Sequence, residues 1–274
     1  MRKRSVLLIF IFLLTHQAFS QTPDFMFYDS VTTGGSPVSK TLIQKNQIKK
    51  IVESKQNIKH TFYAAYFYDT LSNLIKIERY GTNQIVGSID SFVYDQNNKV
   101  CKEMLYNTKD PSKIFLEFTH KYIGDTIEVI TCYVKNYNKL DTSAIIKYFN
   151  NNKQIVKYEV LGKDYNRTVL YEYDNEGMPT KRTHYYKTEI TIDSYEYVLK
   201  KKGKKIVMKQ SGGSNNGGIT ECTYNTKNQC VKCNLDWKEL TVEYKFEYND
   251  DGTLATNKCI RERGTDISKY TYFK

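Results

Sequence analysis

The sequence predicts an all-β protein, an antiparallel meander of about ten repeated hairpins forming an elongated, twisted or solenoid-like sheet. Three observations carry that expectation. Tyrosine occurs 24 times and phenylalanine 13 times in 274 residues, against one tryptophan and 4 prolines, an aromatic bias that suits strands. Self-similarity recurs at a nearly fixed period along most of the chain. Each period holds two strand-length segments around a turn signal.

The first element is an address. Arg2, Lys3 and Arg4 precede an apolar run from Val6 to Leu14 and the small-x-small ending Ala18-Phe19-Ser20. This is the layout of a secretory signal peptide over residues 1–20, shorter than the roughly 18 apolar residues that span a bilayer. Its removal leaves 38 basic against 30 acidic residues, lowering the formal charge from +11 to +8. No later stretch is apolar enough to span, so the mature chain is expected to have no membrane-spanning segment. It is expected to be exported to the periplasm, cell surface or medium.

Residues 21–41 form a lead-in, and residues 42–274 form the repeat domain. The clearest copies are Tyr171-Glu-Tyr173-Asp-Asn-Glu-Gly177 and Phe246-Glu-Tyr248-Asn-Asp-Asp-Gly252. With the second aromatic as position zero, the series runs Tyr68, Tyr94, Tyr122, Phe149, Tyr173, Tyr197, Tyr224, Tyr248 and Tyr272. Its gaps are 26, 28, 27, 24, 24, 27, 24 and 24 residues, and Leu42 extends it one step earlier. Asp or Asn at position one and Gly or Asn at position four suit a type I turn with a G1 bulge, which sets position zero opposite position six. About ten such hairpins at about 4.8 Å per strand would make a ribbon approaching roughly 90 Å.

Position eight is lysine in Lys50, Lys76, Lys102, Lys157, Lys181, Lys205 and Lys232, failing at Ile130 and Thr256. In the simplest register it faces position minus two, the aromatic column of Tyr66, Phe92, Tyr171 and Phe246. Tyr rings packed along the sheet under lysine stems explain this pattern structurally. An exposed Tyr/Lys ladder gripping an extended polyanion is the functional counterpart.

Other chemistry is sparse. Six cysteines in an exported chain suggest disulfides, with Cys222 and Cys230 the best pair. Cys230-x-x-Cys233 has no second CxxC and no nearby histidine to complete a zinc site. His60, His120 and His184 survive processing, and none lies in a recognisable motif. Asp69, Asp95 and Asp174 recur at one turn position, as turn formers do. The run Lys200–Lys205 followed by Gly212–Gly218 reads as a basic strand turn and then an enlarged loop. No catalytic, metal, cofactor or specific ligand-binding residue is assigned, and no cofactor or nucleic-acid partner is expected.

The Tyr173-Asp174-Asn175-Glu176-Gly177 hairpin, with Tyr94-Asp95, Tyr68-Asp69 and Tyr248-Asn249-Asp250-Asp251-Gly252, resembles the YD repeats of the Rhs family of bacterial surface proteins and their short secreted relatives. The resemblance covers residues 42–274 as a periodic pattern. It implies strand architecture and a bacterial envelope setting. It does not imply cargo encapsulation, for which the chain is too short. The leader resembles those of Gram-negative bacteria, the Bacteroidetes among them. The expected function is a non-enzymatic exported module that binds protein or polysaccharide at the envelope, or is structural there. The first alternative is an outer-membrane β-barrel, opposed by charge on both faces of segments such as 181–189. The second is a carbohydrate-active enzyme using two turn carboxylates.

Overall fold

A computed structural model describes residues 36–274, except 57–60, 82–84, 108–113, 137–138, 163–165, 188, 201–202, 213–217, 238–239 and 263. The leader and most of the lead-in lie outside the described residues. Among the described residues, one short helix, α1 (Lys40–Asn46), precedes eighteen strands. These are β1 (Lys50–Gln56), β2 (Thr61–Tyr68), β3 (Leu74–Tyr80), β4 (Val86–Tyr94), β5 (Val100–Asn107) and β6 (Ile114–Ile123). Then come β7 (Ile127–Asn136), β8 (Lys139–Phe149), β9 (Ile155–Leu161), β10 (Asn166–Tyr173), β11 (Pro179–Tyr186) and β12 (Glu189–Lys200). The series ends with β13 (Gly203–Gly212), β14 (Gly218–Tyr224), β15 (Cys230–Trp237), β16 (Leu240–Tyr248), β17 (Leu254–Arg261) and β18 (Gly264–Phe273).

Each strand pairs antiparallel with its neighbours in the chain, and β18 pairs with β1 from Lys50↔Phe273 to Gln56↔Ile267. The meander therefore closes into a β-barrel. The all-β antiparallel expectation holds, but the open, elongated ribbon does not. Sheet twist brings the last strand of a long meander back to the first, and pairing them satisfies two backbone edges that an open ribbon would leave exposed.

The predicted turn is present. Ser72, Asn98, Lys153, Gly177, Asn228 and Gly252, all at position four, have φ between 61° and 90°. The position-one side chain holds the turn: Asp95 Oδ1 accepts from the backbone N–H groups of Asn97 (2.9 Å) and Lys99 (2.8 Å). Asp69, Asn150, Asp174 and Asn225 repeat that arrangement. Position zero faces position six, as in Tyr68↔Leu74, Tyr94↔Val100, Phe149↔Ile155 and Tyr248↔Leu254.

Beyond that pair the register shifts by one at a β-bulge, so position eight faces position minus one: Lys76↔Phe67, Lys102↔Val93, Lys181↔Glu172 and Lys232↔Thr223. A one-residue slip moves side chains to the opposite face. The tyrosine column thus points into the barrel and the lysine column points out, which corrects the shared Tyr/Lys face. The hairpin of Tyr122 explains the exception at Ile130. It has no register shift, so Ile130 faces His120 at position minus two and is fully buried inside.

Inner-face tyrosines staple successive hairpins. Tyr94 donates to Leu74 O (2.9 Å), Tyr122 to Val100 O (2.9 Å), Tyr173 to Ile155 O (2.7 Å), Tyr248 to Cys230 O (2.7 Å) and Tyr272 to Leu254 O (2.5 Å). Each of these five hydroxyls thus meets the position-six carbonyl of the preceding unit. This gives the periodic tyrosine a structural purpose that composition does not reveal. Tyr94→Phe and Tyr248→Phe should each cost about 1 kcal/mol, readable as a lowered urea midpoint with unchanged slope.

Leu42, assigned to the repeat series, lies in α1 rather than in a strand. Ser39 caps that helix by accepting from Leu42 N. The segment covers the turn-bearing end of the barrel, where Val38, Ile43 and Ile48 are buried in the larger apolar cluster. Ser36 Oγ and the Tyr68 hydroxyl are hydrogen-bonded at 2.6 Å, and Lys40 Nζ donates to Asn73 Oδ1 at 2.5 Å.

Candidate functional site

Two apolar clusters line the described interior. The larger lines β13–β18 and β1–β4, with Ile51, Ile77, Ile206, Tyr224 and Leu254 nearly or fully inaccessible. The smaller lines β7–β10 around Ile130, Ile145 and Val169. At its two borders lie two buried groups of charged side chains, each centred on a histidine.

The first group brings together β5, β6, β7 and β8. His120 Nδ1 is 2.9 Å from Glu128 Oε1, and its Nε2 is 3.2 Å from Glu103 Oε1, the latter an ion-pair contact with poor hydrogen-bond direction. Lys147 Nζ donates to Glu128 Oε2 at 3.0 Å. A ring with a carboxylate at each nitrogen is best satisfied as imidazolium. Burial opposes that charge, but Glu103 and Glu128 prevail and raise the pKa of His120. Burial likewise opposes ionisation of Glu128, yet His120 and Lys147 bring its carboxyl down to about 2.

The second group joins β10, β11 and β12. Asp193, with no exposed surface, accepts from Arg182 Nε at 2.6 Å and from His184 Nε2 at 2.8 Å. Arg167 Nη2 lies 2.5 Å from His184 Nδ1. Guanidinium can only donate, so Nδ1 is the acceptor and Nε2 carries the proton: His184 is held as the neutral tautomer. Burial, with help from Arg182 and Arg167, lowers its pKa despite Asp193.

A third polar feature crosses the barrel closure. Glu53 on β1 accepts from the hydroxyls of Tyr66 on β2 (2.9 Å) and Tyr270 on β18 (3.3 Å). Burial, then the Glu53 charge, keeps both phenols well above their ordinary range, so they remain protonated donors.

The outer wall is different in kind. Lys76 pairs with Glu78 (2.8 Å), Lys102 with Glu117 (3.0 Å), Lys157 with Glu159 (3.0 Å) and Lys205 with Glu221 (2.8 Å). Glu243 is shared by Lys232 and Lys245. The cation–π contacts of the position-eight lysines use outward rings: Lys76 lies 4.2 Å from the Phe67 ring centre and Lys157 5.0 Å from that of Tyr148.

The cysteines correct one expectation. Cys222 bonds to Cys233, not Cys230, because the bulge makes Cys222 and Cys233 directly opposed on the inner face. Cys101, Cys132, Cys230 and Cys259 are free thiols. Thiol titration of the unfolded chain should therefore give four groups before reduction and six after it. Replacing Cys222 and Cys233 together by serine should cost about 3 kcal/mol in the chain-entropy picture, checked by denaturant unfolding.

Among the sequence candidates, Asp69, Asp95 and Asp174 serve as turn acceptors, and no described group of three or more His, Cys, Asp or Glu side chains could hold a metal ion. His60 and the centre of the Gly212–Gly218 loop lie outside the described residues. Sequence reasoning missed the ionic groups: Glu103 and Arg182 take position nine and Glu128 position six, places that are apolar in most other units, while Arg167 and Asp193 lie away from the turn-anchored positions. The available signal was interruption of the apolar column by charge.

No family model matches the chain, and no curated protein matches it. Among solved structures, it is similar to a porin-like protein from Bacteroides uniformis ATCC 8492, with 11% identity, 82% of this chain and 96% of that one covered, and a TM-score of 0.48. A DUF1329 family protein from Desulfovibrio piger ATCC 29098 matches at 8% identity over 84% of this chain and 87% of that one, with a TM-score of 0.16.

Proposed function

We propose that this chain is an exported β-barrel of the Gram-negative envelope whose outer wall faces water, serving as a non-catalytic scaffold for a protein or polysaccharide partner. The carrying observation is the lattice of Lys–Glu pairs on the outer wall, with Glu78, Glu159, Glu221, Glu243 and Lys258 in the middle of their strands. In lipid, each mid-wall lysine would cost about 2–4 kcal/mol. In water the same pairs are near neutral energetically and keep the wall soluble. The interior, packed with aromatic and aliphatic side chains, supplies the hydrophobic core that a soluble barrel needs.

Closure itself favours the second reading, an outer-membrane barrel, since a ring of antiparallel strands without a free edge is the strand architecture that can span a bilayer. That alternative contained the closed barrel, and the repeat-module reading did not. Cell fractionation separates the two. Recovery of residues 21–274 from the periplasm or medium without detergent is expected. A protein that stays in carbonate-washed outer membranes and needs detergent would replace the water-facing reading with the membrane one.

A further inference from the structure

We propose that the barrel carries an acid-opened sector at β10–β12, with His184 as its trigger. Nδ1 accepts from Arg167 on β10, and the Nε2 proton is given to Asp193 on β12, so both nitrogens are committed in the neutral form. A second proton has to go to Nδ1, where it confronts the Arg167 guanidinium at 2.5 Å. The ring would then be a third cation beside Arg167 and Arg182, with Asp193 the one carboxylate among the described residues in direct contact with it. On the face that carries His184, the next ionisable groups are Tyr186 and Glu189, paired at the far end of the β11–β12 register, and Tyr171, opposite Arg182 on β10. Buried like charges of this kind are relieved by separating the strands that carry them.

The sign follows from linkage. His184 binds its proton less readily folded than unfolded, so its contribution is complete above the unfolded value of about 6.5 and is lost as pH falls below it. The other buried histidine behaves oppositely. His120 favours the folded state below about 6.5, and its contribution fades as pH rises through its raised folded value. Acid therefore reinforces the β6–β7 side while loading the β10–β12 side, and Glu128 stays ionised throughout mild acid. The device needs no change of fold, since the strands that would loosen border the smaller apolar cluster and lie away from the β18–β1 closure.

Hydrogen exchange of the mature chain, residues 21–274, at pH 7.5 and 5.0 tests this, with rates corrected for intrinsic chemistry. Protection of amides in β10–β12 should fall about tenfold in acid, while β6–β8 stays protected. His184→Gln keeps an acceptor for Arg167 and a donor for Asp193 without a titrating proton, and should abolish the fall. An equal fall in the variant, or one spread evenly around the barrel, would overturn the proposal. If the variant does not fold, NMR titration of the wild-type ring decides: His184 must titrate below the ordinary value of about 6.5, and an ordinary titration would sink the idea.

Discussion

Asp193→Ala should destabilise the barrel by about 3–5 kcal/mol, the range for removing one member of a buried ion pair. Asp193 has no exposed surface and is the shared acceptor of Arg182 and His184. Taking it away leaves two buried donors without their common carboxylate, and the Arg167–His184 contact loses the group that orients the ring. Such a loss is a large part of the roughly 5–15 kcal/mol that holds a domain folded. Chemical denaturation checks it: the midpoint should drop sharply at neutral pH. Asp193→Asn, which keeps shape and acceptor oxygen, should fall between wild type and Ala. A variant within about 0.5 kcal/mol of wild type would show that the carboxylate does not organise this side of the interior.

Deleting residues 264–274 should abolish the native monomer altogether. β18 supplies the partner of both β17 and β1, so its loss creates two unpaired edges and opens the larger apolar cluster beside Tyr270 and Tyr68. Exposed edges of this length pair with other chains. Size-exclusion chromatography and near-ultraviolet circular dichroism should show aggregated or unfolded material. A circular permutant supplies the control. Lys49 N donates to Phe273 O at 2.8 Å, so the chain ends of the barrel are already adjacent. Joining them and reopening the chain at residues 163–165 should preserve the fold. A truncated chain that remains a folded monomer would contradict closure through β18.

Several elements were legible in the sequence for definite physical reasons. Tyr94-Asp95 through Asn98 specifies its turn locally: an acceptor side chain two and four residues before backbone donors, and a residue that tolerates positive φ. The position-zero to position-six pairing follows from that turn. The lysine column failed differently. Even and odd positions exchange faces across a bulge, so Lys76 and Tyr66 look like neighbours on one face in the sequence but lie on opposite faces of the sheet. That parity error also hid the apolar interior and made both faces read as mixed. The ionic groups were illegible because their members lie on separate strands: Glu103 with Glu128 and Lys147, and Arg167 with Asp193.

The sequence by itself determined what is local and periodic: antiparallel strands, the Asp/Asn-led turns, and a tyrosine returning every 24 to 28 residues. Tertiary structure decided what depends on the sum of many small rotations. Twist accumulates strand by strand until β18 meets β1, and no single repeat encodes that meeting. Once the ring closes, one side-chain face becomes the interior. Tyr66 is then a core residue and Lys76 a wall residue, while His184 is caught between Arg167 and Asp193.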